Sequence, residues 1–136
     1  MNYSEKEKVI IKQCNQGPFH TLVTELILDE FNILVDKLIK DDDIYTLTSL
    51  ISIYRDYNRN KIINYLINKK DCEVLLDFLN YCNDFDTPNN RFNQKDIVDK
   101  LIRTNDKKFI KDILKSNNLY FLIDNKEKER LNNFIS

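Results

Sequence analysis

The sequence predicts an all-α fold of stacked antiparallel helical hairpins, a short α-solenoid or an irregular helical bundle of seven to nine helices. Three observations predict it. Apolar residues recur at three- and four-residue intervals along most of the chain, the mark of helices with one buried face, and period-two alternation is nowhere sustained. One pattern, two amphipathic segments hinged at an aspartate, occurs three times without gaps. The composition, 42% hydrophobic and 32% charged, is that of an ordinary soluble chain, and its 136 residues are enough for one domain, 1–136, with a core of its own.

The first element starts at Ser4. Ser4 and Glu7 have capping-box spacing, in which hydroxyl and carboxylate each satisfy an orphan backbone N–H, so a short helix follows over Glu5 to Cys14. Gly17-Pro18 stops it, because glycine accepts left-handed geometry and proline cannot continue the hydrogen-bond ladder. From Phe19 to Ile39 the residues Phe19, Leu22, Val23, Leu26, Ile27, Phe31, Leu34, Val35 and Leu38 keep helical spacing. One long helix or two fit this run, and Asp29-Glu30 is the place for a break. Asp41-Asp42-Asp43 ends one helix and starts the next, its negative charge favoured by the following helix N-terminus. A calcium loop is the alternative for three aspartates, and against it the glycine at its sixth position and the glutamate at its twelfth are both missing.

Helices are expected from Ile44 to Tyr54, then near 60–68 and 72–82. Asn83 to Asn93, turn formers around Pro88 with Phe85 and Phe92 inserted, is the one clear loop. Helices near 94–103 and 106–116 follow. Leu119 to Ile123 reads as a buried helical turn, and a last amphipathic segment runs from about Lys126 to Ile135.

The repeated unit is clearest around Asp71, with Ile62, Ile63, Leu66 and Ile67 before it and Leu75, Phe78 and Leu79 after it. The same offsets give Leu34, Val35, Leu38 and Ile39, then Asp43, then Leu47, Leu50 and Ile51. They also give Ile97, Val98, Leu101 and Ile102, then Asp106, then Ile110, Ile113 and Leu114. The aspartate is expected to begin the second helix and accept its unpaired N–H groups, contributing about 1 kcal/mol. Hairpins thus fall at about 30–56, 58–83 and 94–116, with degenerate end units at 4–28 and 117–136 anchored on Asn15 and Glu127. Each hairpin has apolar stripes it cannot cover alone, and stacking covers them.

This unit resembles degenerate helical-hairpin repeats of the ankyrin type, in which a helix ending in Leu-Ile precedes a polar turn and an aspartate. It lacks the Thr-Pro-Leu-His start and the glycine turns of that family, and its anchors are 28 and 35 residues apart, so HEAT-like or irregular helical pairs stay open. The resemblance implies a protein-binding scaffold without catalysis.

Asn, Ile, Lys and Asp are abundant and alanine is absent, a bias that fits an AT-rich genome such as that of a large DNA virus, a protist, a parasite or a low-GC bacterium. A formal charge of −1 offers no general attraction to a polyanion. The charge is uneven: 11 Lys/Arg against 15 Asp/Glu up to residue 94, then 10 against 7. Three cysteines, Cys14, Cys72 and Cys82, with no secretory signal point to buried thiols in a reducing compartment, the cytoplasm or nucleus, and no apolar run spans a membrane.

No chemistry-bearing constellation emerges. His20 is the only histidine and has no metal-ligand partner at suitable spacing, and one glycine cannot build a phosphate loop. The expectation is no enzyme, no cofactor and no metal. What remains is surface: Tyr54, Arg55, Tyr57 and Arg59 after the first hairpin, with Phe85 and Phe92 in the long loop, are residue types that dominate binding hot spots. The leading reading is a non-enzymatic interaction module for a protein partner, a virus- or parasite-encoded factor acting on its host. The alternatives are a nucleic-acid-binding or inhibitory protein using Lys107, Lys108, Lys111 and Lys115, and a viral apoptosis-regulator-like bundle with a peptide groove.

Overall fold

A computed structural model describes residues 2–16, 26–54, 57, 59–83, 93–116 and 123–136. Among these residues the fold is all-helical: α1 (Glu5–Cys14), α2 (Leu28–Lys40), α3 (Ile44–Ile53), α4 (Asn60–Lys69), α5 (Cys72–Asn83), α6 (Gln94–Arg103), α7 (Lys107–Lys115) and α8 (Asn125–Ile135). The chain divides into two compact units, Met1–Ile62 and Ile63–Ser136, with the boundary inside α4.

In the first unit α2 packs on α3 and α1 lies against α3. Their apolar stripes meet as Ile10 and Cys14 from α1, Phe31, Leu34, Val35 and Leu38 from α2, and Leu47, Leu50 and Ile51 from α3, all buried. Removing that apolar area from water is what makes these short helices stable, since helices of about ten residues are marginal alone. Two ion pairs tie α2 to α1. Lys6 meets Glu30 at 2.8 Å and Lys37 meets the buried Glu7 at 2.7 Å. Burial alone would push the Glu7 carboxyl up. The Lys37 ammonium and the Ser4 backbone N–H outweigh it and hold the group below its ordinary value.

In the second unit α7 packs on both α5 and α8, and α6 packs on α8. Its core gathers Leu66 and Ile67 of α4, Leu75, Leu76 and Leu79 of α5, Ile97, Val98 and Leu101 of α6, Phe109, Ile110 and Ile113 of α7, and Leu131 of α8. Arg130 of α8 is held by Asp99 of α6 and by Glu127 at 2.7 Å, an arrangement that keeps the Asp99 carboxyl low.

The three aspartate hinges share one geometry. The Oδ1 atoms of Asp43, Asp71 and Asp106 accept the backbone N–H of Thr46, Val74 and Phe109 at 3.1, 3.2 and 3.0 Å, as expected of helix N-caps. The residue before each aspartate, Asp42, Lys70 and Asn105, is left-handed with φ of 57°, 57° and 54°. In each, its N–H donates to the carbonyl three residues earlier, Ile39, Ile67 and Ile102, at 3.0 to 3.1 Å. A left-handed residue reverses the chain after a helix and satisfies one of its last carbonyls, a place usually taken by glycine. Here it is filled three times without one.

The end units differ from that scheme. Glu127 sits in the first turn of α8 and donates its N–H to Asp124 Oδ1 at 3.0 Å, so Asp124 is the cap; Asn15 follows the last turn of α1. The start of α1 is the expected capping box, Glu7 N–H to Ser4 Oγ at 3.1 Å and Ser4 N–H to Glu7 Oε1 at 2.7 Å. Residues 17–25, 84–92 and 117–122, which include His20, the Gly17-Pro18 stop and most of the long loop, lie outside the described residues.

Candidate interaction surfaces

The aromatic residues after α3 form a clamp. The Tyr54 hydroxyl accepts the Leu26 backbone N–H at 3.2 Å and the Tyr57 hydroxyl donates to the Leu26 carbonyl at 2.7 Å. Both backbone groups of the residue that leads into α2 are therefore satisfied by phenols from beyond α3. The rings pack around Phe31. Tyr57 meets it edge-on with centroids 4.8 Å apart, Tyr54 lies tilted at 5.8 Å, and the two tyrosines stack on each other at 5.5 Å. Such ring pairs add about 0.5–1.5 kcal/mol each beyond area burial.

This geometry sorts the residues singled out in the sequence. Tyr54 and Tyr57 come together, half-buried, with their hydroxyls bonded inside the unit. Arg59 is interior, only 4% exposed. Arg55, Phe85 and Phe92 lie outside the described residues.

Beside the clamp is a feature that the apolar spacing hid. Ile27 occupies the N-cap position of α2 and is 64% exposed, and Leu28 next to it is exposed as well. Ser4, Asp43, Asn93, Asp106 and Asp124 fill the same position elsewhere, each with a side-chain oxygen on a first-turn N–H. Isoleucine has no such oxygen, and among the described residues the side-chain bond at the α2 start comes from the other side, Glu30 Oε1 accepting the Ile27 N–H at 3.1 Å. Ile53, next to Tyr54 in sequence, is also exposed. Comparing each helix start with the residue types that cap helices is the signal that finds Ile27. It needs the start at Leu28, whereas the sequence placed the break at Asp29-Glu30, just after it.

The second unit carries a cleft of about 360 Å³ lined by Asn64, Ile67 and Asn68 of α4, Lys100 and Arg103 of α6, and Thr104. Ile67 is its buried apolar floor. Lys100 is largely buried, its side chain 15% exposed, and pairs with Asp96 at 3.2 Å one turn back. The Thr104 hydroxyl is spent on its own chain, donating to the Leu101 carbonyl at 2.6 Å and accepting the Asp106 N–H at 3.3 Å.

α7 presents a third surface. Its buried Phe109, Ile110 and Ile113 occupy one side, while the exposed Lys107, Lys108, Lys111 and Lys115 fall within an arc of roughly 100° on the other, at about 100° per residue.

All three cysteines are thiols. Cys14 and Cys82 are buried and Cys72 is half-buried; burial, with Asp43 adding to it, pushes the Cys14 thiol up to about 11. Among the described residues no group of three or more His, Cys, Asp or Glu is placed to hold a metal ion, and no helix is long and apolar enough to cross a membrane. Comparison with protein-family models, with curated proteins and with solved structures yields no match to this chain.

Proposed function

We propose that the chain is a non-enzymatic interaction module that binds a protein partner inside the cell, built from degenerate helical-hairpin repeats. The observation that carries the reading is Ile27. A helix start is the place where a polar residue gains most, about 1 kcal/mol for serine, threonine, asparagine or aspartate over an apolar one. α2 forgoes that gain and leaves a large side chain in water, with the adjoining Leu28 exposed as well. A residue that breaks a local rule without return to the fold is the kind found at functional sites. The clamp of Tyr54 and Tyr57 on Leu26 gives these side chains a fixed platform, and a protein surface of apolar and aromatic side chains is the occupant that would bury them. The shared hinge of Asp43, Asp71 and Asp106 supports the repeat reading, and buried thiols suit a reducing compartment.

Ile27→Asp tests this without harming the fold, because aspartate is a preferred cap. The variant is expected to gain up to about 1 kcal/mol of stability and to lose the partner that the wild-type chain captures. Undiminished capture by a variant of equal or higher stability sinks the reading.

The lysine face of α7 favours a second reading, binding to a nucleic acid. Four phosphate contacts would give a log–log slope of the binding constant against salt of about −3 to −4. Oligonucleotide binding with that slope, lost on reversing the charge of Lys107 and Lys111, would place this reading first.

A further inference from the structure

We propose that the cleft between α4 and α6 binds an acidic peptide segment in extended conformation. This site is separate from the Ile27 surface and stands whether or not that surface takes a partner. Three properties of the cleft select the ligand.

The first is unspent hydrogen bonding. Asn64 and Asn68 are exposed at the cleft wall and make no side-chain hydrogen bond among the described residues. A carboxamide offers one donor group and one acceptor, the complement of a peptide unit, whereas a phosphate can use only the donors.

The second is spacing. Asn64 and Asn68 are one helical turn apart, about 6 Å at 1.5 Å rise per residue. Alternate residues of an extended chain are about 6.6 Å apart. The two amides therefore match successive same-facing peptide units of a strand running along α4, with the Ile67 side chain as floor beneath them.

The third is charge. Arg103 is exposed at the cleft and has no ion pair or hydrogen bond among the described residues. The nearest acid on its own helix, Asp99, is already held by Arg130. Lys100 adds a second cation, offset by Asp96. The guanidinium is left to take a carboxylate in a two-bond fork from a glutamate or aspartate of the ligand. Among the described residues no aromatic ring lines the cleft, so those residues offer charge to a nucleic acid but no surface on which its bases could stack.

The full chain labelled with 15N is titrated with a short capped peptide alternating glutamate and threonine, with its lysine counterpart, and with oligothymidylate. Saturable shifts of the Asn64 and Asn68 side-chain amides and of Arg103 Nε–H with the glutamate peptide alone are the expected result. Arg103→Glu should raise Kd about tenfold or more, since a charge-assisted hydrogen bond is worth about 1.5–3 kcal/mol. The Asn64→Ala, Asn68→Ala pair should raise it several-fold. Circular dichroism checks that both variants keep wild-type helicity, as expected for exposed positions. Absence of saturable shifts overturns the proposal. So does equal or tighter binding of the lysine peptide or of oligothymidylate, and so does wild-type affinity in both variants. Ile27→Asp should bind the glutamate peptide like the wild type and Arg103→Glu should keep the partner lost by Ile27→Asp, so either proposal can fail alone.

Discussion

Asp43→Ala is expected to cost far more than the loss of an ordinary helix cap, because Asp43 holds two donors. Its Oδ1 accepts the Thr46 N–H at 3.1 Å and its Oδ2 accepts the Thr46 hydroxyl at 2.7 Å. The first bond is the cap, worth about 1 kcal/mol. The second satisfies a hydroxyl with no exposure to solvent, which itself accepts from Asn15 Nδ2 at 3.3 Å. Without Asp43 that hydroxyl keeps a weak incoming bond and loses the acceptor for its own proton. Leaving a buried donor unpaired costs about 1–3 kcal/mol. The sum is about 3 kcal/mol, which at a urea slope of about 2 kcal/mol per molar moves the midpoint down by about 1.5 M. Thr46→Val removes the hydroxyl in advance, so Asp43→Ala in that background should cost only the cap, about 1 kcal/mol. The coupling expected from the double-mutant cycle is therefore about 2 kcal/mol. Urea denaturation followed by helical circular dichroism measures all four proteins, with an unchanged slope as the check that the transition is the same one. A coupling near zero, with Asp43→Ala costing the same in both backgrounds, would refute the second bond as a stabilising contact.

Two other predictions concern titration and thiol access. The Glu7 carboxyl is held below its ordinary value of 4.5, so its contribution to stability is fully present above that pH and is lost as pH falls through the lowered value. Lys37→Met removes the opposing ammonium and leaves burial unbalanced, so urea denaturation should find the variant less stable than wild type at neutral pH, with the difference shrinking as pH falls and Glu7 is protonated; a difference that does not change with pH would count against the pair. For the cysteines, a thiol reagent at neutral pH should label Cys72 first, while Cys14 and Cys82 react only as the chain opens. Labelling of Cys14 at the rate of Cys72, read by mass spectrometry of the digested protein, would contradict the burial assigned to it.

Much of the fold is legible in the sequence because its determinants are local. A cap works between residues i and i+3, so Ser4 with Glu7 and the three hinge aspartates could be read directly. The apolar offsets around Asp71 also hold: Ile62, Ile63, Leu66, Ile67, Leu75, Phe78 and Leu79 are all buried, and only Ile39, Ile102 and Leu114 in the other two copies are half-exposed. The left-handed residues before the aspartates were not visible, because the usual signal is glycine and Asp42, Lys70 and Asn105 carry none.

The surfaces were legible only in part, for a different reason. Tyrosine and arginine serve a core edge and a binding face equally well, and only the position of distant groups separates the two. Tyr54 and Tyr57 reach the backbone of Leu26, 28 and 31 residues away, and Arg59 turns inward.

By itself the sequence determined the helical class, the order of the helices, the caps at Ser4 and the three hinge aspartates, and the faces the helices bury, since each follows from spacings of three or four residues. Tertiary structure alone decided which helix covers which stripe. It therefore decided that Asn64 and Asn68 would face Lys100 and Arg103 across a cleft and that Ile27 would stand at a helix start in water. Periodicity marks a face to be covered but carries no address for the segment that covers it. That address comes from the docking of whole helices, where many weak contacts add up between residues far apart in the chain.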